Sequence, residues 1–131
     1  MESEYPMRIL LAEDNPINQK LAAMVLKNLG YISDSVGNGL EAIAAVKRQD
    51  YDLILMDVQM PEKDGLQATL DIRALKDGIH QPIIVAMTAN AMEGDREACI
   101  QAGMNDYISK PITLESLAKV IQYWGKELNE S

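Results

Sequence analysis

Short apolar runs alternate along the chain with longer stretches in which apolar residues recur every three or four positions. Met7–Ala12 (MRILLA) is continuously apolar after its arginine and predicts a short buried strand. Asn15-Pro16 then supplies an N-cap with proline in the first helical turn. Ile17, Leu21, Met24, Val25 and Leu29 follow at helical spacing, and Gly30 stands where a C′ glycine belongs. A weaker strand at Ile32–Val36 and an Asn38-Gly39 turn lead into a helix with Leu40, Ile43 and Val46 expected inward. Leu53–Met56 predicts the third strand, and Asp64-Gly65 precedes a helix through Leu66, Leu70, Ile72 and Leu75. Pro82–Met87 (PIIVAM) is the fourth apolar run, and Asp106–Ile108 a short fifth strand. In the last helix Leu114, Leu117, Ile121, Trp124 and Leu128 share one face behind Thr113 as N-cap. The helix expected at Asn90–Gly103 has the weakest pattern, relying on small alanines and containing Gly94. A mid-helix glycine costs about 1 kcal/mol relative to alanine, so this helix is expected to be the least firmly held.

Strands that alternate with helices imply a parallel sheet covered on both faces, because parallel strands need helical crossovers. The fold class is therefore α/β, with five strands and five helices. The 131 residues suit a single domain, expected over 7–128 between short tails at 1–6 and 129–131. With 47% apolar and 24% charged residues, the chain has the material for a core and is not a disordered polymer. Its net charge of −8 repels phosphate backbones and anionic lipid, which argues against direct contact with nucleic acid or membrane. No run approaches the roughly 20 apolar residues of a membrane span. The acidic start MESEYP is unlike a secretory signal peptide. A single cysteine, Cys99, leaves no intrachain disulfide or Cys-based zinc site and suits a reducing, cytoplasmic setting. On its helix Cys99 reads as a packing residue, and the lone His80 as a surface one.

In an open α/β sheet, ligands bind beyond the carboxyl ends of the strands, near the point where strand order reverses. Four strands deliver polar groups there: Glu13-Asp14 after the first, Asp57 after the third, Thr88 after the fourth and Lys110 after the fifth. Acids after a strand also serve as caps or solvated loop residues, but their joint placement on four strand ends argues for a site. Three converging carboxylates cannot all stay ionised with only one lysine between them, and a hard divalent cation resolves this. A few carboxylates, one backbone carbonyl and waters suit octahedral Mg²⁺ better than a caged Ca²⁺. A carboxylate beside Mg²⁺ can act as a nucleophile toward phosphorus. Asp57, on the central third strand, is the expected nucleophile, with Glu13 and Asp14 holding the metal.

These residues carry a resemblance. ILLAEDN (Ile9–Asn15), LILMDVQMPEKDG (Leu53–Gly65), MTA (Met87–Ala89) and ISKP (Ile108–Pro111) together resemble the receiver domain of two-component response regulators, from about Met7 to Leu128. The resemblance implies a flavodoxin-like, doubly wound five-stranded sheet of order 2-1-3-4-5. It implies Asp57 as phosphoacceptor, and Glu13, Asp14, Asp57 and the Gln59 backbone carbonyl as ligands of Mg²⁺. It gives Thr88 the role of a switch hydroxyl, pairs Lys110 with the phosphoryl group and makes the Lys110-Pro111 bond cis. Tyr107 falls at the aromatic switch position; it reads equally as an amphipathic tyrosine covering the sheet edge.

EDNPINQK, MDVQMP, MTANAM and GMNDYISKP further resemble receivers fused to hybrid sensor histidine kinases, which act in multistep phosphorelays. The expected partner is a histidine kinase or histidine-phosphotransfer domain, docking near the first helix with Ile17, Asn18, Met60 and Pro61 in contact. The chain is then not an enzyme by itself, although it assists its own phosphorylation and dephosphorylation. A receiver excised from a hybrid kinase, whose parent can be membrane-anchored, is preferred over a stand-alone response regulator. Two rival classes share parts of this pattern. A Mg²⁺-dependent phosphoaspartate hydrolase of the haloacid-dehalogenase type resembles a pattern with a second acid two residues after its nucleophile, where this chain has Gln59. A flavodoxin-like FMN carrier needs a phosphate-binding first loop, and Glu13-Asp14 would repel that anion.

Overall fold

The computed structural model describes residues 7–75, 78–89 and 93–130. Strands and helices alternate as β1 (Ile9–Ala12), α1 (Pro16–Asn28), β2 (Ser33–Val36), α2 (Gly39–Arg48), β3 (Leu53–Asp57), α3 (Gly65–Arg73), β4 (Ile83–Thr88), α4 (Glu93–Ala102), β5 (Asp106–Ser109) and α5 (Leu114–Glu130). All pairings are parallel, in the order β2-β1-β3-β4-β5. The chain winds outward from β1 to β2 and then crosses back to β3. That reversal leaves a crevice at the carboxyl ends of β1 and β3.

Side chains alternate along each strand, which divides the core in two. Leu10, Ala12, Ile54, Met56, Ile84 and Ala86 pack under α2, α3 and α4. Ile9, Leu11, Leu53, Leu55, Val85 and Met87 pack under α1 and α5. Carried one step further, the same alternation puts Glu13 and Asp57 on the α1/α5 side and Thr88 on the other.

The starts of α1, α2, α3 and α5 are each fixed by a side chain that accepts orphan amides of the first turn. Asn15 accepts from Ile17 and Asn18 at 2.9 and 3.2 Å, Asn38 from Glu41 at 2.9 Å, and Asp64 from Gln67 at 2.8 Å. Thr113 Oγ1 accepts from the Ser116 amide and Ser116 Oγ from the Thr113 amide, both at 3.1 Å, a reciprocal capping box. At the far end of α1, Gly30 has φ 95°. Its N–H bonds Lys27 and that of Tyr31 bonds Leu26, the paired arrangement that closes a helix on a left-handed glycine.

Several expectations need correction. In α1 the buried residues are Ala22 and Leu26, while Leu21 and Met24 are exposed; Ile17 is exposed too, as its expected place in a partner contact requires. Leu40 of α2 and Leu70 of α3 also point outward; Val46 is buried as expected, and Ala42, Ala45, Ala68, Thr69 and Ile72 are buried with it. Small residues let helices lie close to the sheet, so the buried stripe is narrower than the apolar one and the leucines flank it. Leu114 and Leu128 are likewise exposed at the two ends of α5. Ile32 lies outside β2 and is 89% exposed, because β2 is an edge strand with little to cover it. The last helix continues to Glu130, past the tail boundary expected at Leu128, since nothing in Asn129 or Glu130 breaks a helix. Residues 90–92 of the expected fourth helix, and the tail at 1–6, lie outside the described residues.

Candidate functional site

The β1 ladder does not stop at Ala12: the Glu13 amide bonds Val36 O at 3.0 Å and so delivers a carboxylate beneath the sheet edge. Glu13 is 2% exposed and Asp57 3%. Asp14, next in sequence, is exposed. One carboxylate oxygen from each of Glu13, Asp14 and Asp57 lies within 4.8 Å of the others. Lys110 follows β5, its backbone N–H bonded to Thr88 O at 2.8 Å, and the Lys110-Pro111 peptide is cis as expected. Its Nζ reaches Asp57 Oδ2 at 2.7 Å and Glu13 Oε2 at 3.3 Å. The second Asp57 oxygen accepts the Gln59 amide at 3.1 Å.

The charges are unbalanced. Burial raises the Glu13 carboxyl above its ordinary range, and the hydrogen bond to Asp57 and that residue's charge raise it further; the Asn15 amide and Lys110 pull the other way and do not cancel this. Burial alone would lower Lys110, but the hydrogen bond and charge of Asp57, with Glu13 behind, outweigh it and hold the ammonium group more firmly protonated. Three carboxylates against one lysine, all with oxygen donors, fit a hard divalent cation.

Gln59, Met60 and Pro61 line the open acidic depression above these groups, together with Asn18. Thr88 is buried at the end of β4 and shares a cavity of about 260 Å³ with Asp57, Lys110 and the α4 residues Ala98 and Cys99. Tyr107 lies on β5 outside the acid cluster, half-buried, with the Arg96 guanidinium 4.6 Å from its ring centroid. His80 is half-exposed before β4, its Nε2 3.7 Å from Asp52 Oδ1, outside the site. Cys99 is buried.

Three further residues shape the site and were not assigned these parts from sequence. Asn18 donates its side-chain amide to Glu13 Oε1 at 3.4 Å, beside the Asn15 amide at 3.2 Å. Gln19 donates to Glu13 O and, at 3.2 Å, to Val36 O. A Cβ on Gly65 would stand 2.2 Å from Asp57 O, so only glycine lets α3 begin against the β3 end. Sequence spacing marks Gly65 as a helix start but carries no signal of this close approach.

Residues 9–122 match the family model of the response regulator receiver domain. The hybrid signal transduction histidine kinase B of Dictyostelium discoideum is 45% identical over 97% of this chain, which spans only 7% of that relative's length. The crystal structure of the receiver domain of sensor histidine kinase PA1611 from Pseudomonas aeruginosa PAO1, with magnesium ion coordinated in its active-site cleft, superposes with a TM-score of 0.82 at 47% identity. It covers 91% of this chain and 97% of that one. A chain in the co-crystal structure of the Saccharomyces cerevisiae histidine phosphotransfer signalling protein Ypd1 and the receiver domain of its downstream response regulator Ssk1 gives 0.86 at 32% identity, over 94% and 91% of the two chains. With its fold, strand order and acidic cluster, this chain belongs to the response regulator receiver domain family.

Proposed function

We propose that the chain takes a phosphoryl group from a phosphohistidine onto Asp57, as the receiver part of a hybrid sensor histidine kinase in a phosphorelay. The observation that carries this reading is the setting of Asp57. Its carboxylate is buried, held at one oxygen by Lys110 and at the other by the Gln59 amide, beside two further acids. A carboxylate fixed at both ends loses little freedom on reaching a bound phosphoryl group.

When bound by Glu13, Asp14, Asp57 and the Gln59 carbonyl, Mg²⁺ would neutralise charge developing on the transferring oxygens. In the step itself an Asp57 oxygen bonds to phosphorus as the P–N bond of the phosphohistidine breaks, its electron pair returning to the imidazole. Lys110 then pairs with the phosphoryl oxygens, and the Thr88 hydroxyl donates to them from the β4 end. Because Thr88 borders the cavity reaching Cys99 of α4, its inward turn gives α4 and Tyr107 a reason to shift.

The partner in this reading is a histidine kinase or histidine-phosphotransfer domain that docks over Ile17, Asn18, Met60 and Pro61. Ile17 is 76% exposed, and Met60 and Pro61 border the acid depression, which supports this. Among the described residues no helix is long and apolar enough to cross a membrane. A cytoplasmic setting and a domain that is not an enzyme on its own belong to the same proposal.

Incubation with acetyl phosphate, followed by intact mass measurement, tests it. A phosphoryl adduct that requires Mg²⁺ and vanishes in Asp57→Asn is expected. An adduct that persists in that variant, or steady turnover of many phosphate esters, overturns the proposal.

A further inference from the structure

Asp14 is the one exposed acid of the cluster, and no hydrogen bond or ion pair holds its side chain among the described residues. Only the peptide that carries it can therefore aim it. That peptide begins at Glu13 C=O, and this carbonyl accepts a hydrogen bond from the side-chain amide of Gln19, one turn into α1. The same Gln19 nitrogen donates to Val36 O at 3.2 Å. Val36 O also accepts the Glu13 amide at 3.0 Å. The Glu13 main chain is thus gripped at its N–H by β2 and at its C=O by Gln19, which is itself anchored to β2. Both partners of the Gln19 amide are carbonyls, so the nitrogen, not the oxygen, must face them.

We infer that Gln19 is a positioning residue for the acid pair, fixing the Glu13–Asp14 peptide so that the Asp14 carboxylate converges with Glu13 and Asp57. This rests on the metal-dependent phosphoacceptor reading above and deepens it. Gln19 donates to main-chain carbonyls and not to the clustered carboxylates, so its role is to orient and not to ligate. Outer groups that orient metal ligands characteristically contribute about 10-fold or more to metal affinity, so this is the effect expected of Gln19.

The test is an NMR titration of the whole chain with MgCl₂, following folded-state amide resonances of Asp14 and Gln59. Gln19→Met, which keeps the side-chain length and removes the donor, is expected to bind Mg²⁺ about 10-fold more weakly than wild type. Its acetyl phosphate labelling should be restored by saturating Mg²⁺. Gln19→Leu provides a second variant. In the wild type, Mg²⁺ is also expected to shift the Gln19 side-chain amide resonances. Variants that bind Mg²⁺ as tightly as wild type overturn the inference, even if their metal-free stability has fallen. So does a Gln19 amide that ignores Mg²⁺ while Asp14 responds. A wild type that shows no Mg²⁺ response anywhere overturns the phosphoacceptor reading as well, which separates the two failures.

Discussion

Two half-buried cations sit at opposite edges of the same sheet, and their surroundings differ in kind. Lys110, at the carboxyl ends of the strands, meets carboxylates: Asp57 at 2.7 Å and Glu13 at 3.3 Å. Arg73, at the end of α3, lies by the amino ends of β4 and β5 and, among the described residues, meets only neutral oxygens. It donates to Gly103 O at 2.9 Å, and to Gln81 Oε1, Pro82 O and Asn105 Oδ1 at 2.8 Å each. Burial lowers the Arg73 pKa, and no carboxylate among the described residues offsets it, whereas the acids around Lys110 reverse the same effect of burial. The Arg73 end is a finished joint, with each guanidinium bond spent on tying α3 to the segments before β4 and β5. At the Lys110 end negative charge is left over. A protein keeps such an excess where a ligand is to arrive, and it gives up stability there.

Substitutions can break this contrast, and the largest effect should come from Gly65→Ala. A methyl group 2.2 Å from Asp57 O forces α3 away from β3. We expect a loss of about 3 kcal/mol in urea unfolding, with phosphoryl labelling falling too because Asp57 moves. Next is Arg73→Leu, which takes the guanidinium donor from four acceptors, of which Asn105 Oδ1 keeps the Ile84 amide at 2.9 Å. It should cost about 2 kcal/mol, while the folded fraction still labels at the wild-type rate. Lys110→Met should cost about 1 kcal/mol in metal-free protein, given that the lysine side chain remains 24% exposed. Added Mg²⁺ should recover that loss, and should give Arg73→Leu no more than it gives wild type. Thermal midpoints with and without Mg²⁺ measure both.

The smallest change expected is a gain. A carboxyl whose pKa is raised by folding favours the folded state only while protonated. Glu13 therefore contributes stability below its ordinary 4.5 and loses that contribution as pH rises through its higher folded value. Glu13→Gln removes the penalty, so it should be about 1 kcal/mol more stable than wild type near pH 7, with the gain shrinking toward acid pH. A denaturation series across pH checks the sign. The same variant should bind Mg²⁺ more weakly.

Strand-end chemistry was legible in the sequence because it is local. β1 and β3 are unbroken apolar runs, so Glu13-Asp14 and Asp57 had to emerge at one edge once the strands were parallel. Caps were legible for the same reason: Asn15, Asp64 and Thr113 act on amides two or three residues away. The inward helix faces were less so, because hydrophobicity ranks Leu40 above Ala42, whereas packing against a sheet favours the smaller residue. Gln19 and Arg73 were illegible, since their partners lie up to 17 and 32 residues away and include backbone carbonyls that have no sequence signature.

Asp57 is the proposed acceptor of the phosphoryl group, and site mapping tests that directly. Protein labelled with acetyl phosphate and Mg²⁺ is reduced with borohydride, which converts an aspartyl phosphate to homoserine, and is then sequenced by tandem mass spectrometry. Homoserine at position 57 alone is the predicted result. Reduction product at Asp14 or Asp52, with Asp57 intact, would contradict it.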